Sequence, residues 1–123
     1  MLLKCLRLIV NSYLVLVVEI KFIDLGAERL IAAIKDTEKI AVEIKSFRRA
    51  SDMKDLEEAL GQFVLYDRLL KRYEPERKLY LAVPEEVGQT VFEEEAGQIL
   101  LEDDIIKVFT FDTIKEEIVR WIT

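Results

Sequence analysis

Histidine is absent from the 123 residues, and cysteine occurs once, at Cys5. The first absence excludes a Ser-His-Asp or Cys-His pair, a histidine-ligated zinc and an imidazole general base. The second excludes an intramolecular disulfide and a multi-thiolate metal site, and it fits a reducing cytoplasm, the expected location. Chemistry on this chain must run on carboxylates, Lys, Tyr or a bound metal. Only Pro75 and Pro84 punctuate the chain, and linker-like or low-complexity tracts are missing, so residues 1–123 read as one domain. The longest apolar run, Leu8 to Val18, falls short of the ~20 residues of a spanning helix, is broken by Asn11 and Ser12, and lacks a small-x-small cleavage site. Its β-branched and aromatic residues from Tyr13 to Val18 predict buried strands, with no membrane association.

Net charge is −6, unevenly spread. Residues 1–80 hold 15 basic and 13 acidic side chains, whereas residues 81–123 hold 3 and 11. Attraction to a polyanion follows the local density of Lys and Arg, so any meeting with DNA falls to residues 1–80. From Leu81 to Ile106 there are eight acidic side chains and no basic one, a surface suited either to solubility or to a basic protein partner.

Apolar segments predict strands over Leu14 to Asp24, Lys39 to Phe47, Lys78 to Val83 and Ile105 to Phe111, and more weakly over Glu117 to Ile122. Ser51 is a candidate cap for a helix with Asp52 and Asp55 in its first turn, an apolar stripe of Met53, Leu56, Leu60, Phe63 and Val64, and a stop at Glu74-Pro75. A second helical stretch is expected within Glu85 to Leu101. The order is that of an α/β chain in which a mixed sheet carries helices. Residues 27–35 admit two readings. A hairpin turning at Asp36-Thr37 would set Asp24 opposite position 49 or 50, past Glu43, whereas a short helix over Ala27 to Ile34 lets Asp24 approach Glu43. The helix is the expectation.

In Val42-Glu43-Ile44-Lys45, strand alternation places Glu43 and Lys45 on one face. Asp24 ends the preceding strand, so two carboxylates and an ammonium can converge. Hard Mg²⁺ or Mn²⁺ prefers oxygen ligands, and the carboxylates of Asp24 and Glu43 with the carbonyl of Ile44 would hold it for phosphodiester hydrolysis. Lys45 would orient water or stabilise phosphate charge. Gln62 and Tyr66 lie one turn apart on the long helix, placed to hold a nucleotide or the attacking water. Arg29, Lys35, Arg48, Arg49 and Lys54 surround these positions in sequence as candidate phosphate contacts. An ordinary solvated strand face with a weak ion pair accounts for Glu-x-Lys equally well, and Val18-Glu19-Ile20-Lys21 repeats the same four residues.

Taken together, Ile23-Asp24-Leu25, Val42 to Lys45 and Gln62 to Tyr66 resemble the PD-(D/E)xK nuclease pattern, including the Gln-x-x-x-Tyr helix motif of its RecB-like branch. Ile23 to Glu28, Ile40 to Phe47, Glu58 to Tyr66 and Pro75 to Pro84 look like the XisH-like family, the fdxN-element excision controlling factors of cyanobacteria. The resemblance covers about residues 20–123. It implies a restriction-endonuclease-like mixed sheet flanked by helices, a role in developmentally controlled excision of a DNA element, and a small XisI-like partner protein. It also implies that Asp24, Glu43 and Lys45 match the nuclease triad, whether as a metal-dependent DNA endonuclease or as a non-catalytic regulatory module acting through protein contacts. Residues 1–19 depart from the family, whose members usually begin with a helix and a strand. That departure leaves Leu14 to Val18 as an open edge and predicts a homodimer.

Overall fold

The structure, a computed structural model, describes residues 8–10, 13–15, 21–22, 30–35, 38–47, 51–115 and 117–122, with side chains described from residue 38 onward. Two short strands, β1 (Leu8–Val10) and β2 (Tyr13–Val15), form an antiparallel pair in which Leu14 faces Ile9. Of the expected open edge, residues 16–18 lie outside the described residues. The main sheet has six strands in sequential order: β3 (Lys21–Phe22), β4 (Leu30–Lys35), β5 (Glu38–Ile44), β6 (Lys78–Pro84), β7 (Val108–Asp112) and β8 (Glu117–Trp121). β5, β6 and β7 run parallel, and the outer pairings β3–β4, β4–β5 and β7–β8 are antiparallel.

Residues 30–35 form a strand, correcting the helix expected over 27–34. β4 pairs antiparallel with β5, Lys35 facing Glu38 and Leu30 facing Glu43. The apolar run Leu-Ile-Ala-Ala-Ile fits either state by periodicity, and ladder pairing with a central strand overrides the helix preference of its alanines.

Two crossovers join the parallel strands. The first carries α1 (Asp52–Tyr73). The Ser51 hydroxyl accepts the Lys54 N–H at 3.3 Å, Asp52 and Asp55 occupy the first turn, and Lys71 and Arg72 lie in the last, matching charge to the helix dipole at both ends. Its buried stripe is Leu56, Ala59, Phe63 and Leu70. Met53 and Val64, expected in that stripe, are turned to solvent, because the buried arc centres on Ala59 and they fall on the opposite side of the wheel. The second crossover contains α2 (Glu85–Thr90) and α3 (Glu95–Glu102), two helices within the single stretch expected. Gly97 lets α3 fold back on α2, since a Cβ there would collide with the Val91 carbonyl oxygen.

Both crossovers pack on one sheet face. Ala41, Leu79, Leu81, Val83 and Val108 meet Leu56, Ala59, Phe63, Val87, Val91 and Phe92 there. Alternate residues Ile40, Val42, Tyr80, Ala82, Phe109 and Ile118 form the opposite face, where Trp121 stacks edge-on against Tyr80 at 5.1 Å. Double-sided burial explains why β6 reads as an uninterrupted apolar run, and Pro84 falls at its end, where a missing N–H breaks no ladder. Glu85, the first residue of α2, ties this corner down. One of its carboxylate oxygens accepts the hydroxyl of fully buried Thr110, and the other accepts Arg120 Nε at 2.8 Å. Among the described residues no helix is long and apolar enough to cross a membrane.

Candidate active site

Strand alternation puts Glu43 and Lys45 on the helix-covered face of the sheet with Ala41. Glu43 sits opposite Leu81 on β6 and Leu30 on β4, at the centre of the sheet, and is only 2% exposed. Among the described residues its buried Oε2 has no hydrogen-bond partner. Burial pushes the Glu43 carboxyl up to about 7, and the nearby Lys45 charge opposes that rise without cancelling it. Leaving a buried acceptor unpaired costs about 1–3 kcal/mol, more for a charged group, so this oxygen is set up for a cation or proton donor that the described residues do not provide.

Lys45 continues the β5 register, its backbone N–H donating to the Ala82 carbonyl at 2.9 Å. Its ammonium reaches across to α1 and donates to Glu58 Oε1 at 3.2 Å. Two residues on, Phe47 takes a left-handed φ of 54° and sets its ring edge-on to Phe92. Tyr66 and Gln62, both partly buried, stand on the same flank of α1 as Glu58. The Tyr66 phenol is pushed up by burial and then by the Glu43 charge, which places those two groups within electrostatic reach.

Of the expected site residues, the structure therefore gathers Glu43, Lys45, Gln62 and Tyr66. Ile44 lies between the two charged residues, its side chain turned to the opposite core. Lys54 is exposed one turn before Glu58. Lys35 closes β4 opposite Glu38. Asp24, Arg29, Arg48 and Arg49 lie outside the described residues, and among the described residues no three acidic or thiol side chains gather as a metal cluster. Glu58 is the member that sequence reading missed. Its signal was the spacing Glu58, Gln62, Tyr66, three residues at steps of four that form one ridge of a helix.

A model of the XisH protein family matches residues 8–119. This chain belongs to the XisH family. Two solved structures share the XisH fold with it. An XisH family protein from Nostoc punctiforme PCC 73102 is 42% identical, with a TM-score of 0.71 over 76% of this chain and 74% of that one. An fdxN element excision controlling factor protein from Anabaena variabilis is 36% identical, with a TM-score of 0.72 over 85% and 81%. No curated protein matches. XisH membership gives the Glu43–Lys45 strand and the Glu58–Tyr66 ridge a shared setting, since both lie inside the matched segment.

Proposed function

We propose that this XisH protein is a controlling factor for excision of a DNA element, with a PD-(D/E)xK nuclease-like fold and a metal-dependent phosphodiesterase site at the end of β5. The observation that supports it most is the buried Glu43 carboxylate with an unpartnered oxygen beside an ammonium on the same strand face. The donors are all oxygen, which suits Mg²⁺ or Mn²⁺: Glu43 would hold the ion with the Ile44 carbonyl, and Asp24, without the short helix expected to bring it near, would have to reach them from the connection between β3 and β4. When bound, such an ion neutralises phosphate charge and lowers the pKa of a coordinated water. Lys45 would stabilise charge on the phosphate oxygens, a contribution of about 2–4 kcal/mol by analogy with other preorganised donors. To do so it must leave Glu58, its partner in the present arrangement. The Gln62 amide and Tyr66 hydroxyl would orient the attacking water or a nucleotide. Arg29, Lys35, Arg48, Arg49 and Lys54 would contact DNA phosphates.

Calorimetric titration of Mg²⁺ or Mn²⁺ tests this directly. The native chain should bind with measurable heat that Glu43→Gln removes, and Lys45→Ala should retain the heat while losing nicking of supercoiled DNA. Metal heat unchanged by Glu43→Gln would remove the site from consideration.

A second reading is a non-catalytic regulatory module acting through an XisI-like partner. Glu93, Glu94, Glu95, Glu102, Asp103 and Asp104 are all exposed, with Ile99 and Ile105 exposed among them, an acidic surface with apolar anchors. Capture of that partner that survives neutralising Glu93, Glu94 and Glu95 would eliminate this interface.

A further inference from the structure

We propose that Glu58 is a positioning residue: it draws the Lys45 ammonium across to α1 and so keeps the buried Glu43 carboxylate open to a divalent cation. The inference rests on the metal-site reading above and names the residue that governs access to that site. Glu43 and Lys45 share one face of β5, two residues apart, close enough for the Lys45 charge to act on Glu43. An ammonium at that spacing is a ready partner for a carboxylate oxygen. Lys45 Nζ nevertheless lies 3.2 Å from Glu58 Oε1, and Glu43 Oε2 has no hydrogen-bond partner among the described residues. Two carboxylates compete for one ammonium, and the one on the helix holds it.

The docking of α1 builds this arrangement. Leu56 and Ala59, 4% and 0% exposed, are buried on either side of Glu58 in the chain and hold this turn of the helix against the sheet. Glu58 itself meets water, its side chain 36% exposed against 22% for that of Lys45. Charging Glu58 therefore costs less desolvation than charging Glu43, and the ion pair forms where both partners keep some hydration. Without Glu58 the ammonium loses this partner, and Glu43 is the acid on its own strand face. Lys45 seated there would take the oxygen and the negative charge that a cation needs. Glu58 thus acts on the cation through Lys45 and not by its own charge, which makes the two roles separable.

Calorimetric titration of the full chain with Mn²⁺ separates them, across the native protein, Glu58→Gln, Lys45→Met and the double variant, with thermal unfolding of each as a control for folding. Glu58→Gln should weaken Mn²⁺ binding at least about tenfold, because the released ammonium competes for Glu43. With Lys45→Met already in place, the same substitution should change the affinity by less than about twofold. An equal loss in both backgrounds would make Glu58 a plain source of negative charge and overturn the proposal, as would an affinity unmoved by Glu58→Gln. Either result leaves the metal site itself standing, whereas a native chain that binds no Mn²⁺ removes the site and the proposal together.

Discussion

Burial pushes the Glu43 carboxyl up to about 7 from an ordinary 4.5, so the folded chain holds a proton there over a pH range in which the unfolded chain has released it. The sign follows: with more protons on the folded state, stability falls as pH rises from about 4.5 through about 7. The loss approaches about 1.4 kcal/mol per pH unit and roughly 3 kcal/mol in all. Denaturant unfolding at several pH values should show this decline, and Glu43→Gln should flatten it. Mg²⁺ bound at the site should also flatten it, by stabilising the charged form, so a pH slope insensitive to both changes would argue against Glu43 as its source. Glu43 and Lys45 were legible in the sequence because strand alternation forces them to one face. The partner of Lys45 was not, since only the docking of α1 on the sheet brings Glu58 within 3.2 Å of it.

At the scale of elements, α1 is the piece most fully specified by its own residues. Its cap, its charged ends and its stop at Glu74-Pro75 all lie where local chemistry puts them. Ser51→Ala should lower stability by about 1 kcal/mol through loss of the hydroxyl acceptor. Gly97→Ala should cost more, because its methyl group meets backbone that cannot move without separating α3 from α2. Thermal melts of the two variants will rank them. The hairpin of β4 and β5 and the division of α2 from α3 were harder to read. Residues 30–34 suit two periodicities, and the decision comes from a neighbouring strand. No proline interrupts Val91 to Glu94, so the break there is set by close packing at Gly97 and not by a local stop signal.

For the whole molecule, a mixed sheet carrying helices was legible from the alternation of apolar runs with helical patterns, whereas which strands run parallel and the placement of both crossovers on one face come from the structure. The position of the N-terminal strands was not, because β1 and β2 pair with each other outside the main sheet. Charge is also organised at this scale. The acidic residues of 93–95 and 102–104 are exposed and oppose any polyanion that approaches the molecule. Neutralising Glu93, Glu94 and Glu95 together should therefore strengthen non-specific DNA binding at low salt, with the gain disappearing as salt rises. Fluorescence anisotropy with a labelled duplex checks this. An unchanged affinity at low salt would mean the acidic surface lies beyond the reach of bound DNA.

Pro84 both ends β6 and caps α2, so that corner of the molecule has no loop at all. One residue added there would swing α2 by about 100° and carry Glu85 away from Thr110 and Arg120. The turn at 74–77 is held likewise, Arg77 donating to Glu74 Oε1 and to the Ile40 carbonyl, each at 3.0 Å. A change of chain length is therefore resisted from 74 through 90, and that stretch behaves as a fixed ruler against which the rest of the chain can be aligned.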